Sequence, residues 1–487
     1  MSEARPGPRD THGADAVDVA IVGAGPAGLA AAAACARLGL ATLVLDEQAS
    51  PGGQVYRAIT ASPLPRAEIL GDDYWRGASL IVDVVRAGAR YRPDTTVWAI
   101  APRAAGFVLA TSRGHGGARA SVPLNARAVI LATGALERPF PIDGWTLPGV
   151  LMAGGAQALL KSAGVVPVGE TVLAGGGPLL WLLAAQYLRA GVHIAALLDT
   201  TPRGRLAQAL PHAAGFMASP YFAKGRELVR YVRRRTRVVE FVESLAVEGT
   251  QAVTGVRWRH RGGEAHLPAD QVLLHQGVVP DVNLAAAAGC RLGWNDEQAC
   301  FVPAVDAWGG SSVPGLFIAG DGGGIAGADA AAARGALAGL AVANALGQID
   351  GATRDREAGA PRRALAAAMR GRRFLDALYR PADAFRLPTG DTLACRCEEV
   401  TAGTIRDMAR SGVAGPNQMK ALTRCGMGPC QGRYCALTVT ELIAAETGRA
   451  PADVGTYRCR FPAKPVPLAE VAAFPATAED VRVVERE

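Results

Sequence analysis

The sequence predicts an α/β protein with two nucleotide-binding units of strand, glycine loop, helix and strand, followed by a small helical module bearing cysteines. Three stretches predict it. Residues 17–46 read VDVAIVGAGPAGLAAAAACARLGLATLVLD. Residues 171–199, TVLAGGGPLLWLLAAQYLRAGVHIAALLD, repeat that order. Residues 424–435, RCGMGPCQGRYC, place three cysteines in twelve residues of a chain that has nine.

The whole-chain properties set bounds. A length of 487 residues suits two to four domains. With 49% apolar and 20% charged residues the chain is globular rather than disordered. The net charge of +7 comes from scattered arginines; Lys161, Lys224, Lys420 and Lys464 are the only lysines. The short run Arg233–Arg235 has no interleaved aromatics, which argues against a nucleic-acid surface. Residues 1–16 have no apolar core of a signal peptide and are expected to be a disordered lead. The apolar stretch 27–45 is broken by Arg37 and Gly39 and reads as helix, turn and strand, not a membrane span. A cytoplasmic location is expected. In that reducing compartment clustered cysteines point to metal or redox chemistry.

In the first unit Gly23, Gly25 and Gly28 have the G-x-G-x-x-G spacing after the strand VDVAIV. Gly23 permits the tight turn, Gly25 lets backbone N–H groups approach a pyrophosphate, and Gly28 lets helix and strand pack closely. The helix N-terminus then faces the phosphates. Asp46 ends the second strand 18 residues after Gly28, with Glu47 beside it, where an acid can bind ribose hydroxyls. PGGQ, residues 51–54, supplies another flexible loop containing Gly53 and Gln54. AVILATGALERP, residues 128–139, is a buried strand that turns at Gly134. SVPGLFIAGDGGGIAGADAAAARGALAG, residues 312–339, is a strand ending in Gly320 and Asp321 before a helix of small residues.

In this order the segments resemble the two-dinucleotide-binding-domain flavoproteins, which are glutathione-reductase-like, over about residues 17–345. The resemblance implies FAD, bound through Gly23, Gly25, Gly28, Asp46 and Asp321, with Glu47, Gly53, Gln54, Gly134 and Gly320 as further candidate contacts. It also implies an FAD-binding domain of residues 17–150 and 275–346 around an inserted NAD(P)-binding-like domain of residues 151–274.

The second unit departs from the pattern. Gly175 and Gly177 hold the first two glycine places, but the third is Leu180. A leucine there is expected to push the helix away and fill part of the pyrophosphate site. Asp199 is placed to take a ribose, and no basic residue stands where a 2′-phosphate would need one. A scaffold is therefore expected rather than an NAD(P)H site. Before residue 395 the only cysteines are Cys35, Cys290 and Cys300, too far apart for a local dithiol beside a flavin. His275 ends a predicted strand and is either near the flavin ring or a plain strand-end residue.

Residues 347–389 read as a charged, glycine-rich linker and a helix, 390–447 as the cysteine module, and 448–487 as a tail. Cys395 and Cys397 form C-x-C, and Cys430 and Cys435 form C-x4-C. Thr401 is a candidate cap for a helix between them, with Thr404 an alternative start. This module resembles the bacterioferritin-associated-ferredoxin-like [2Fe–2S] domain, with a wider close pair than usual. Five cysteines compete for four places, and spacing selects Cys395, Cys397, Cys430 and Cys435, leaving Cys425 spare. Zinc is the alternative, but C-x-C makes a poor zinc knuckle.

With GGQVYR, HQGVVP, AGDGGGIAGA, CRCEEVTAG and TRCGMGPCQGR all present, the whole chain resembles the flavin-containing larger subunit of bacterial hetero-oligomeric amino-acid dehydrogenases. That family includes opine oxidases, D-hydroxyproline dehydrogenases and hydrogen cyanide synthase, with the large subunit of sarcosine oxidase a relative. The resemblance implies a second flavoprotein subunit, of the D-amino-acid-oxidase type, that oxidises the C–N bond of an amino acid, imino acid or opine. This chain would relay the electrons through FAD and a [2Fe–2S] cluster. Two other readings stand beside it: a stand-alone NAD(P)H:acceptor oxidoreductase with a fused ferredoxin-like domain, and a structural or regulatory subunit with relic nucleotide sites.

Overall fold

The computed structural model describes residues 15–66, 68–114 and 120–474. Most of the expected N-terminal lead lies outside the described residues, while Asp15 and Ala16 already belong to the first strand.

The first sheet is built from β1 (Asp15–Val22), β2 (Thr42–Leu45), β3 (Arg90–Arg92), β4 (Thr95–Arg103), β5 (Gly106–Arg113) and β6 (Ala120–Leu131). Their order is β3-β2-β1-β6-β5-β4, and the late strand Leu316–Ile318 joins β6 in parallel. β1, β2, β3 and the end of β6 run parallel, while β4, β5 and the start of β6 form an antiparallel meander. The C-terminal halves of the central strands, residues 19–22 and 128–131, read as apolar runs because both faces are covered there. The helices Pro26–Arg37 and Ala328–Ala345 cover one face; Leu284, Ala285, Ala288 and Ala463 pack on the other.

Small residues set how closely those two helices approach. A Cβ on Gly335 would stand 2.0 Å from the Ala27 carbonyl oxygen. One on Gly339 would stand 2.9 Å from the Ala31 oxygen and 2.8 Å from the Ala34 Cβ. The alanine-rich composition of both helices is thus a packing requirement and not only a helix preference.

A two-stranded antiparallel ribbon, Ala135–Glu137 with Val278–Pro280, carries the chain out to a second unit and back. There a five-stranded parallel sheet has the order Val238–Val239, Ile194–Asp199, Thr171–Gly175, Gln271–His275, Val150–Met152. A three-stranded antiparallel sheet, Ser244–Gly249, Val253–His260 and Gly263–Pro268, packs Val247, Val256 and Trp258 against Val172 and Ala174.

The expected linker is not one. Residues 351–357 and 359–369 are helices, and Leu365 packs with Leu337 and Leu340 of the Ala328–Ala345 helix. Asp350 caps the first by accepting from the Thr353 N–H at 2.7 Å. Ala358, Leu365 and Ala368 turn inward at helical spacing while most of the charged residues face out, and that period outweighs the composition.

The cysteine module packs helices Ala402–Arg410, Pro416–Thr423 and Ala436–Thr447 around Ile405, Met419, Val439 and Leu442. Thr401 caps the first as expected, its hydroxyl accepting from the Thr404 N–H at 3.1 Å. The tail is also structural. Tyr457 joins the module's core, Ala463 joins the first sheet's core, and its N–H bonds the Trp98 carbonyl at 2.8 Å. Glu470 is buried against the Ser112 hydroxyl. No helix among the described residues is long and apolar enough to cross a membrane.

Replacing Gly335 by alanine adds a methyl where only backbone can yield. Overpacking typically costs about 1–3 kcal/mol, against a gain of up to about 1 kcal/mol in helix preference. Gly335→Ala is expected to lower the urea midpoint, whereas Gly347→Ala, with no atom within 4 Å of its Cβ site but a φ of +76°, loses only its turn preference.

Candidate functional site

One cleft of about 2210 Å³ runs between the two sheets. Its first end is the loop after β1. Gly23 has φ +106°, and a Cβ there would stand 2.4 Å from the Ala132 oxygen. Gly25 precedes the Pro26–Arg37 helix, whose N-cap carries no side-chain bond. Its first-turn N–H groups are left for an anion in the cleft. Gly53, with φ +61°, sets the PGGQ loop on this one, because a Cβ there would lie 2.7 Å from the Gly25 Cα. Such a cradle, closed to any Cβ and open to phosphate, fits the pyrophosphate of a flavin dinucleotide.

Asp46 is buried and turned back on the loop, accepting from the Ala24 N–H at 2.5 Å and the Gln48 N–H at 2.7 Å. Burial pushes its carboxyl up, and those two N–H groups pull it back. A carboxylate keeps further lone pairs for ribose hydroxyls. Glu47 lines the cleft and pairs with Lys464 of the C-terminal tail. Asp321 lines it too and accepts from Ala326 N–H at 2.8 Å and Gly327 N–H at 3.1 Å, fixing the turn into the Ala328–Ala345 helix. Gln54 and Gly134 also face the cleft.

Two expected contacts lie behind its wall. Gly320 is buried against Ala27, where a Cβ would stand 2.6 Å from that residue's own. It serves helix packing and is not among the residues that line the cleft. Gly28 likewise sits on the Gly23 oxygen, as the packing role predicts.

The second glycine loop differs from expectation. Leu180 is fully buried in the core with Leu173, Leu197 and Leu273, between helix and sheet. It does not line the cleft and does not fill a pyrophosphate site, whereas Gly177 and Pro178 face the cleft. Asp199 is buried, accepts from the Thr201 N–H at 2.9 Å and lies beside the glycine loop, 3.9 Å from the Cβ position of Gly176, without lining the cleft. His275 stands beneath this loop: its ring lies 3.5 Å from the Cβ position of Gly177, and its carbonyl accepts from Gly176. Its Nδ1 bonds Glu137 Oε1 at 2.6 Å, and Glu137 Oε2 accepts from the Gly154 N–H.

The five cysteines of the last module divide into two groups. The Sγ atoms of Cys395, Cys425 and Cys435 all lie within 4.8 Å of one another, and all three residues are buried. Cys425, set aside by spacing, is therefore inside the group. The Cys425 and Cys435 thiols bond the Cys395 sulfur, which holds Cys395 well below the usual thiol range and raises the other two. Cys397 and Cys430 form a separate, more exposed pair, with Cys397 bonded to the Cys430 N–H and thiol. The N–H groups of Gly426 and Glu398 point at the Cys395 sulfur. Backbone donors of that kind stabilise metal-bound thiolates.

The module abuts the cleft. Arg433 and Tyr434, just before Cys435, line it. Asn283 donates to the Gln431 carbonyl at 3.0 Å, Trp145 to the Leu393 carbonyl at 2.9 Å, and Arg386 pairs with buried Glu441.

A family profile of pyridine nucleotide-disulphide oxidoreductases matches residues 17–335, and one of the sarcosine oxidase A3 domain matches residues 392–474. An opine oxidase subunit of Agrobacterium tumefaciens (strain Ach5) is 46% identical over 96% of this chain and 94% of its own. The chain belongs to this flavoprotein family. It is an FAD-dependent oxidoreductase. Hydrogen cyanide synthase subunit HcnB of Pseudomonas aeruginosa is 33% identical over 92% of this chain and 97% of its own. The L-proline dehydrogenase of P. horikoshii shares the fold, with a TM-score of 0.67 at 19% identity, covering 94% of this chain and 79% of that one.

Several cleft residues carry no pattern that sequence reasoning catches: Arg433, Tyr434, Asp281, and Glu137 and His275 as a pair. The one with a signal is Lys161, a rare lysine among arginines. It is buried and faces the cleft, donating to the carbonyls of Gln54 at 3.1 Å and Val55 at 2.9 Å and to Gln157 at 2.8 Å. It thereby ties the PGGQ loop to the second unit. Burial pushes its ammonium down to about 7. Between that value and the unfolded value of about 10.4, the unfolded chain holds a proton that the folded chain lacks. Stability from this site therefore rises with pH across that window, by up to about 1.4 kcal/mol per unit. Urea midpoints are expected to show the wild type gaining on Lys161→Met from pH 7 to pH 9; a constant difference would refute the shift.

Proposed function

We propose that the chain is the electron-relay subunit of a hetero-oligomeric dehydrogenase that oxidises an amino acid, imino acid or opine. The observation that carries it is the joining of the two sites: Arg433 and Tyr434 of the cysteine module line the cleft that holds the dinucleotide cradle. Bound there, FAD would accept an electron pair and release it singly, and a [2Fe–2S] cluster on the cysteines would carry one electron at a time. Such a cluster takes four thiolates, two for each iron, and the module brings five cysteines to it.

The chain's own residues position these groups. Gly23, Gly25 and Gly53 admit the pyrophosphate, and Asp46, Glu47 and Asp321 fix hydroxyl groups. Lys161 holds the PGGQ loop, which would otherwise be free to lift. Arg433 and Tyr434 stand on the cleft wall immediately before Cys435. The clamps from Asn283, Trp145 and Arg386 keep that placement constant. No dithiol lies beside the glycine cradle among the described residues, which accords with a relay rather than a disulfide reductase.

The family's subunit names support a partner, proposed to be a D-amino-acid-oxidase-like flavoprotein on which the substrate's C–N bond is oxidised. Co-production with that partner, followed by dye reduction with opines, amino acids and imino acids, is expected to give activity that neither chain has alone. Full activity of the lone chain would refute the relay.

A stand-alone NAD(P)H:acceptor oxidoreductase is favoured by one observation: Gly177 is open to the cleft and Leu180 is out of it. Stopped-flow mixing with NADH and NADPH decides between the two. The relay predicts no rapid bleaching of the flavin absorbance, and the alternative predicts bleaching within turnover time.

A further inference from the structure

Five thiols compete for four ligand positions, and the structure places them unequally. Metal–thiolate bonds of about 2.3 Å put two sulfurs on one tetrahedral centre about 3.8 Å apart. The Cys397 and Cys430 pair can serve one iron. The buried group of Cys395, Cys425 and Cys435, all within 4.8 Å, can serve the other. Each iron of a [2Fe–2S] cluster has two bridging sulfides and room for two thiolates. One of the three buried sulfurs is therefore surplus, yet already in ligand range.

We propose that Cys425 is a reserve ligand: Cys395 and Cys435 hold the buried iron, and Cys425 takes the place of either one that is lost. This rests on the reading of the module as a [2Fe–2S] domain. The exchange breaks the iron–sulfur bond of the departing cysteine and forms one from Cys425, whose proton is lost to the departing thiolate or, where that side chain has been replaced, to solvent; no oxidation state changes.

The loop around Cys425 suits the move. Arg424 before it has φ +63° and Gly426 after it φ +88°, so the residue stands between two turns, past the end of the Pro416–Thr423 helix. Tyr457 backs the loop. A Cβ on Gly426 would stand 2.5 Å from its ring and one on Gly432 2.7 Å. The Tyr457 hydroxyl lies 4.0 Å from the Cys435 sulfur. The thiols thus share one rigid wall, and a sulfur can change partner without the module unfolding. No third thiol stands beside Cys397 and Cys430 within ligand range among the described residues, so that iron has no reserve.

The test uses the full chain, reconstituted anaerobically with iron and sulfide, with iron content and the EPR spectrum of the reduced protein as readouts. Circular dichroism and FAD content report folding. If the wild type itself gives no [2Fe–2S] signal, the reading of the module falls, and the reserve with it. If it does, Cys425→Ala is expected to keep both irons and the wild-type spectrum. Cys395→Ala and Cys435→Ala are each expected to keep both irons with shifted g values. Cys397→Ala, Cys430→Ala and the double variants of Cys425 with Cys395 or Cys435 are expected to lose the cluster. Loss of the cluster in folded Cys425→Ala, Cys395→Ala or Cys435→Ala, to the level of Cys397→Ala, would overturn the proposal. Serine variants at 395 and 435 carry the same comparison if alanine leaves the chain unfolded.

Discussion

The Pro26–Arg37 helix touches backbone on both sides, and the cleft exists only because it can. On one side Gly28 rests on the Gly23 carbonyl; on the other Gly335 rests on the Ala27 carbonyl. These contacts put the helix N-terminus at the floor of the cleft and bring the Ala328–Ala345 helix, with Asp321 at its approach, to the same place. The dinucleotide cradle is therefore a consequence of close packing. Any added side chain at these points widens the spacing that lets distant segments meet.

A second constraint fixes the cysteine module. Its contacts with the flavin fold combine an apolar cluster, Leu437 with Val279, Cys300 and Phe301, with directional bonds: Trp145 to a carbonyl, Asn283 to a carbonyl, Arg386 to Glu441. Polar groups in such places are costly to leave unpaired, so they hold one geometry where apolar contact would allow several. The C-terminal segment adds a tie, because Tyr457 belongs to the module's core and Ala463 to that of the first sheet. An electron passing between the two sites would cross a distance set by these bonds.

The polar core of the cleft also shows how the two nucleotide-binding units are joined. Lys161, on the second unit, donates to the carbonyls of the PGGQ loop of the first. Glu137, on the connecting ribbon, bonds His275 at the end of the returning strand. Both sit at the crossing of the two units, and their side chains, unlike the glycine loops, belong to the pair of units and to neither alone.

Much of the architecture is legible in the chain itself. The glycine spacings, the acid at the end of β2, the strand before Asp321 and the Thr401 cap are local patterns, and local patterns dictate backbone conformation over a few residues. The linker expectation fails because charge and glycine content hide three inward positions of helical period, Ala358, Leu365 and Ala368. The Leu180 expectation fails because sequence shows only that a position is not glycine, and not that the leucine points to the sheet rather than the cleft. Spacing sets Cys425 apart but does not show that it lies with Cys395 and Cys435, since which thiols converge depends on how three helices and the Tyr457 segment pack. The sequence by itself determined the elements and the chemistry they carry. Only the tertiary structure decided which side chains share a cavity, because that depends on contacts between residues hundreds of positions apart.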